Sequence, residues 1–241
     1  MGRAFEFRKA RKLKRWSKMA KTFSRIGKDI VIAIKEGGPE PESNARLRAV
    51  MQNAKAANMP KDIVDRAIKK AKDKDTSNYK EVTFEGYAPH GIAIMIEAAT
   101  DNNNRTVANV RAAFTKFNGN LGTSGSVEFM FERKCHFKIP LADHDVEELE
   151  FELIDAGIEE LFAEDAEEGK EPTIMIYGPF ESFGSIQREL EGKSIEIIES
   201  GYERIPTNTK KLTEEEEQEV DKLLERLEED DDVMNVYHTM G

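Results

Sequence analysis

The stretch YKEVTFEGYAPHGIAIMIEAATDNNNRTVANVRAAFTKF, residues 79–117, decides the fold, because within it the apolar spacing changes from strand-like to helix-like. Val82, Phe84 and Tyr87 lead into Ile92–Ile96, a run apolar on both faces that reads as a central strand. Ala88-Pro89-His90-Gly91 is the turn between them. From Asn104 to Phe117 the apolar positions Val107, Val110, Phe114 and Phe117 lie three and four apart, the stripe of an amphipathic helix. Val127, Phe129 and Phe131 then alternate, which predicts another strand with its aromatics inward. Residues 80–132 thus read as an incomplete α/β sandwich.

Toward the C-terminus, Cys135, Phe137 and Ile139 alternate as a strand, followed by a helix (146–156), strands (158–163 and 173–177), a helix (182–191) and a strand (194–204). That order is the split-βαβ, ferredoxin-like arrangement. Thr213 caps a helix to Leu227 with Glu216 as its capping-box partner, and Val233–Tyr237 forms a last strand. These two final elements have no partners of their own, so residues 206–241 are expected to complete the sandwich begun at 80–132.

Toward the N-terminus, Phe23, Ile26, Ile30 and Ile34 mark a helix from Met19 to Gly37-Gly38-Pro39. A second helix, Asn44 to Ala57, buries Leu47, Val50, Met51 and Ala54. Pro60 fits the first position of a third, with Ile63, Val64, Ala67, Ile68 and Ala71 in one stripe. Residues 72–78 read as a linker. The expected fold is α+β: an N-terminal helical bundle (1–78), a discontinuous α/β domain (79–132 plus 206–241) and an acidic ferredoxin-like α/β domain (133–205).

Charge divides the chain in the same way. Residues 1–75 carry 21 Lys+Arg against 9 Asp+Glu, a balance of +12, whereas the remainder carries 15 against 38, a balance of −23, within a net −11. A split this large suggests a basic binding module on an acidic body. Residues 2–18 hold eight cations and one acid, and their like charges disfavour a compact state before a partner neutralises them. Interleaved with these cations are Phe5, Phe7 and Trp16. Cations release counterions from phosphates and aromatics stack on unpaired bases, so the pattern suits a nucleic acid. The candidate contacts are Arg3, Arg8, Lys9, Arg11, Lys12, Lys14, Arg15, Trp16, Lys18 and Lys21 in the first segment, Arg46, Arg48 and Lys55 in the second helix, and Lys61, Arg66, Lys69 and Lys70 in the third.

Other candidates carry blander readings beside the functional ones. Asn103, Asn104, Arg105 and Thr106 open a helix, where amides and a guanidinium can receive a phosphate or carboxylate, or where Asn and Asp simply cap the turn. The glycine-rich segment 119–126 lacks the lysine of a P-loop and follows a helix, which favours a tight connection over a phosphate cradle. Phe129 and Phe131 could stack on bases, but their alternation with Glu128 and Met130 fits core packing. Fourteen acids between Asp143 and Glu171, with Lys170 alone against them, read as a solvated face. His90, His136, His144 and His238 are scattered, and none pairs with Cys135 at metal-ligand spacing, so neither metal nor cofactor is expected. No catalytic constellation stands out, and the protein is expected not to be an enzyme. A single cysteine excludes an intrachain disulfide. No apolar run approaches the ~20 residues of a membrane span, and the N-terminus lacks a signal-peptide h-region, so a cytoplasmic location without membrane contact is expected.

Five segments then carry a resemblance: EGGPEPESNARLR (36–48), NAKAANMPKD (53–62), FEGYAPHG (84–91), TDNNNRT (100–106) and GNLGTSGSV (119–127). Together, in this order, they closely resemble the YebC/PmpR family over nearly the whole chain. The resemblance implies a three-domain fold with a helical N-terminal domain and two α/β domains. It also implies a regulator: bacterial members are described as DNA-binding transcriptional regulators, mitochondrial ones as translational activators, and the family has been linked to ribosomes stalled on proline-rich sequence. The expected partner is therefore DNA, or alternatively ribosomal RNA.

Overall fold

The computed structural model describes residues 3–72, 78–142, 144–164 and 171–241, with the side chains of the first helix described from Met19 onward. The chain divides into two compact units, Met1–Tyr79 and Lys80–Gly241. The first holds α1 (Arg3–Gly37), α2 (Ala45–Ala56) and α3 (Lys61–Lys72). Ile30, Ala33, Ile34, Leu47, Val50, Ala54, Met59 and Val64 form its core. The sequence suggested that order begins at Met19, whereas α1 runs unbroken from Arg3. The cause is local: residues 3–26 contain neither Gly nor Pro and are rich in Arg, Lys and Ala, which favour helix. Pro60 sits one residue earlier than expected. Its carbonyl accepts from the Val64 N–H at 3.3 Å, so it is the cap residue and Lys61 the first helical one.

The second unit runs β1 (Lys80–Tyr87), β2 (Ala93–Thr100), α4 (Asn103–Lys116), β3 (Asn120–Leu121), β4 (Phe131–Pro140), α5 (Val146–Leu153), β5 (Glu160–Glu164), β6 (Thr173–Pro179), α6 (Phe183–Gly192), β7 (Glu199–Pro206), α7 (Glu214–Glu228) and β8 (Val233–His238). These strands make two four-stranded antiparallel sheets, ordered β3-β1-β2-β8 and β5-β6-β4-β7.

In the first sheet β2 is apolar on both faces because both are covered. Ile94 and Ile96 pack with Val110 and Phe114 of α4 and with Val220, Leu223 and Leu227 of α7, while Ala93 and Met95 meet Val127 and Phe131. Each fully buried aliphatic side chain contributes roughly 1.5–3 kcal/mol. The C-terminal strand β8 pairs with β2, with Met95 opposite Tyr237 and Ile96 opposite Val236. Thr213 and Glu216 form the reciprocal capping box that starts α7.

Residues 127–131 depart from the expected strand. The backbone turns in a 3-10 helix at Glu128–Met130 before β4 begins at Phe131. The Glu85 carboxylate takes the N–H groups of Gly125, Val127 and Glu128 at 2.7, 2.7 and 2.9 Å, amides a ladder would otherwise use. Phe131 is buried and Phe129 is 74 % exposed, so the two aromatics do not share a face of a strand. The short β3 occupies the edge beside β1 instead. In the second sheet Cys135, Phe137, Ile139, Ile174 and Ile176 are buried beneath α6, and the Phe183 ring centroid lies 4.9 Å from that of Phe137. Gly178 permits this closeness, since a Cβ there would stand 2.8 Å from Ile186 Cδ1. β7 starts five residues later than the apolar pattern suggested, because Ser194 adopts a left-handed conformation (φ 59°) and Ile195 donates back to Leu190.

Asp232, 5 % exposed, anchors the final strand. One of its carboxylate oxygens lies 2.6 Å from Arg105 Nη2, 2.9 Å from Thr106 Oγ1 and 3.2 Å from Thr100 Oγ1. Asp232→Ala should cost about 3 kcal/mol in urea denaturation, because it takes an acceptor from two buried hydroxyls, leaving them only each other and the Asn102 backbone, and removes the buried partner of the guanidinium. Arg105→Ala, which leaves both hydroxyls their acceptor, should cost clearly less.

Candidate nucleic-acid interface

The basic unit is organised by the turn between α1 and α2. Gly38, at φ 85°, closes α1 by donating to Ile34 O. Asn44 then links both helices. Its Oδ1 accepts from Leu47 N at 3.0 Å as the cap of α2, and its Nδ2 donates to Ala33 O and Gly38 O at 2.7 and 2.8 Å. Gly37 must be glycine here, since a Cβ would lie 2.7 Å from the Asn44 amide. Arg48 donates to Pro41 O and Glu42 O, and Arg46 pairs with Glu36 at 2.7 Å. The EGGPEPESN motif is therefore a built helix-to-helix turn with its polar groups satisfied.

The expected contacts separate accordingly. Arg46 and Arg48 brace the turn, and Arg66 pairs with Asp62 at 2.6 Å within α3. Lys55, Lys61, Arg66, Lys69 and Lys70 are exposed, and Lys21 is half-buried on α1. On α3 the five apolar positions read from the sequence face α1 and α2, which leaves Lys61, Lys69, Lys70 and Lys72 on the solvent side. The side chains of Arg3, Arg8, Lys9, Arg11, Lys12, Lys14, Arg15, Trp16 and Lys18 lie outside the described residues, on the first turns of α1.

Asn103, Asn104, Arg105 and Thr106 belong to the second unit, as the first turn of α4. Asn102 caps that helix by accepting from Arg105 N. The Arg105 guanidinium contacts Asp232 at 2.6 Å and Asp101 at 2.9 Å; the hydrogen bond to Asp232, then that to Asp101, raise its pKa further. Thr106 is wholly buried, and Asn103 and Asn104 remain exposed. The glycine-rich loop is likewise filled from within. Its three amides surround Glu85, and although burial raises this carboxyl, those bonds and the Arg204 guanidinium together hold it below its ordinary value.

Glu85, Asp232 and Asn44 are the residues that sequence reasoning missed. His90 sits in the PHG turn, 2.8 Å from Glu219 and 3.4 Å from Glu216. Cys135 is buried, donates to Pro179 O, and is pushed by burial up to about 11, so it is a thiol at neutral pH. Among the described residues no group of three or more His, Cys, Asp or Glu could hold a metal ion, and no helix is long and apolar enough to cross a membrane.

Residues 3–74 match the TACO1/YebC protein N-terminal domain, and residues 79–240 match the TACO1/YebC second and third domain. The chain belongs to the TACO1/YebC family. A "probable transcriptional regulatory protein" of Flavobacterium psychrophilum is 68 % identical over 240 residues, covering 100 % of this chain and 99 % of that one. One of the same description from Porphyromonas gingivalis is 54 % identical over 241 residues, covering 100 % and 97 %. A solved structure, a conserved hypothetical protein of Aquifex aeolicus, is 39 % identical with a TM-score of 0.77, covering 92 % of this chain and 90 % of that one.

Two measurements check the turn and the loop. Asn44→Ala should lower unfolding free energy by about 2–3 kcal/mol, from a lost cap plus two lost buried hydrogen bonds, and Asn44→Ser should recover only the cap. Because the Glu85 pKa is lowered on folding, its stabilisation is complete above the unfolded value, roughly 4.3, and fades as pH falls through the folded value. Glu85→Gln should therefore be less stable than the parent at pH 7, and the gap should narrow in denaturation curves taken at successively lower pH.

Proposed function

We propose that this protein is a regulator that binds nucleic acid through its basic helical unit, residues 1–78, with duplex DNA as the target. The observation that carries this reading is the set of exposed lysines on α3, in a unit whose charge runs opposite to the rest of the chain. Lys55, Lys61, Lys69 and Lys70, with the cations of residues 3–21, would contact phosphates, and Arg46 and Arg48 would hold the turn from which α2 starts. The names of the Flavobacterium and Porphyromonas relatives support a transcriptional role. We further read the second unit as two domains, 79–132 with 206–241 and a ferredoxin-like 133–205, acting in the cytoplasm without chemistry of their own.

A second reading, ribosomal RNA as the target, is favoured by Phe5, Phe7 and Trp16 among the N-terminal cations, since unpaired bases offer faces for stacking. Salt and substitution separate the two. If about five to eight phosphates are neutralised, log affinity should fall linearly with log salt, by about 0.9 per contact on duplex DNA and about 0.7 on single strands. Replacing Arg8, Lys9, Arg11, Lys12, Lys14 and Arg15 together by Gln should weaken binding to either polymer. Replacing Phe5, Phe7 and Trp16 by Ala should spare a duplex but cost roughly 1–3 kcal/mol per stacked base on unpaired RNA. Parental affinity and salt slope in the six-Gln variant, on promoter fragments and on ribosomes alike, would remove the N-terminal segment from the interface.

A further inference from the structure

The second sheet has one face that its own helices leave uncovered. Helices α5 and α6 lie side by side, joined by Lys193 to Glu152 at 3.0 Å and by the Ser185 hydroxyl to Ala156 O. They cover the Cys135, Phe137, Ile174 and Ile176 face, as the approach of Ile186 to Gly178 shows. Pairing register places a different set on the opposite face: Glu160, Phe162 and Glu164 on β5, Met175 and Tyr177 on β6, Lys134, His136 and Lys138 on β4, and Glu199, Gly201 and Glu203 on β7. Most of these residues are half-buried or exposed, with Phe162 at 42 %.

Aromatic rings cross the middle of this face in a row. Phe162 stacks near-parallel with Tyr177, their centroids 6.1 Å apart and their planes 18° apart, and His136 follows at 6.3 Å from Tyr177. The His136 ring lies over Gly201, where a Cβ would stand 3.2 Å from its Cε1, and its buried Nδ1 has no hydrogen-bond partner. Carboxylates border the row on both edge strands. The cations of the central strand are already engaged, Lys134 by Glu159 at 2.9 Å and Lys138 by Glu164 at 2.8 Å.

We propose that this open face, built on the Phe162–Tyr177 pair and bordered by Glu160, Glu164, Glu199 and Glu203, docks an arginine-bearing segment of a basic protein. A guanidinium is planar and weakly hydrated, so it can lie on an aromatic ring while its edge donates to carboxylates. Lysine supplies the charge but neither the planarity nor the paired donors. Phosphates are excluded by the same carboxylates, which makes a nucleic-acid occupant the poorer fit despite the aromatics. This surface is distinct from the basic helices assigned to nucleic acid and does not depend on that assignment.

The test uses the full-length chain with fluorescently labelled nona-arginine and nona-lysine peptides, followed by anisotropy at fixed physiological salt. The arginine peptide should bind roughly tenfold more tightly than the lysine peptide. Phe162→Ala should abolish that preference, Phe162→Tyr should keep it, and Glu160→Gln with Glu164→Gln should weaken both peptides. Phe151→Ala, at an exposed phenylalanine on α5 among other acids, is the control and should leave both affinities unchanged. Thermal midpoints within about 3 °C of the parent identify folded variants, and Glu203→Gln replaces any that fails. Equal binding of the two peptides, an arginine preference that survives Phe162→Ala, or loss of single-stranded RNA binding in Phe162→Ala would each overturn the proposal.

Discussion

A single buried carboxylate, Asp232, holds together segments that lie far apart in the chain. Asp232 fixes the turn before β8, the strand that pairs with β2, against the start of α4 through Arg105, Thr106 and Thr100. Its backbone carbonyl also accepts from Ala99 N, beside the register shift between Glu97 and Ala98. The arrangement tolerates burial of a charge because each hydroxyl and the guanidinium offers a donor, which offsets the desolvation that an isolated carboxylate would suffer. With β8 in place, α7 can cover Ile94 and Ile96 beside α4, and the first sheet gains a closed core. The same hub accounts for Thr100, Arg105 and Thr106 of the TDNNNRT segment, and Asn102 caps α4 beside it.

Charge separation sets the second constraint. A polyanion approaching the chain meets attraction at the basic unit and repulsion from the acidic remainder, so orientation is imposed before any specific contact forms. The effect weakens with salt, because exposed charges farther apart than roughly 8–10 Å are screened at physiological ionic strength. Acids are not spread for solubility alone, however. Many of those described are bonded: Glu97 to Arg204, Glu164 to Lys138, Glu159 to Lys134 and Glu152 to Lys193. The half-exposed pairs among these contribute little individually, about 0–1 kcal/mol, yet those of Lys134 and Lys138 fix side chains on the open sheet face.

Periodicity made most elements legible, and it failed where a side chain competed for backbone amides. The strand-to-helix change at residues 92–117 and the orphaned C-terminal helix and strand were readable because apolar spacing records which face is buried. Residues 127–131 alternate just as a strand does, but the deciding residue, Glu85, stands some forty positions earlier and looks like an ordinary solvent-facing glutamate in FEG. Asp232 is hidden in a run of three aspartates, and only a fold can distinguish the buried one from its half-buried and exposed neighbours. Asn44 was read only as the start of the second helix, whereas its capping bond and its two bonds back to α1 depend on the turn that Gly37 and Gly38 allow. Composition alone left an anion site as a second reading at the glycine-rich loop and at the helix start at Asn103, while favouring a tight connection at the first.

The internal bonding of these two turns bears on where an external phosphate can go. A helix N-terminus and a glycine-rich nest attract anions through unsatisfied amides, and in this protein each has an internal carboxylate in attendance. Glu85 fills the nest, Asp232 and Asp101 neutralise Arg105 beside the start of α4, Glu216 occupies the start of α7, and Asp145 accepts from two amides at the start of α5. A phosphate arriving at any of these places would have to displace a carboxylate that is covalently tethered, and so present at high effective concentration. On α3 the exposed Asp62 pairs with Arg66 at 2.6 Å, a pairing that solvent and salt weaken. The second unit thus satisfies several of its own turns from within.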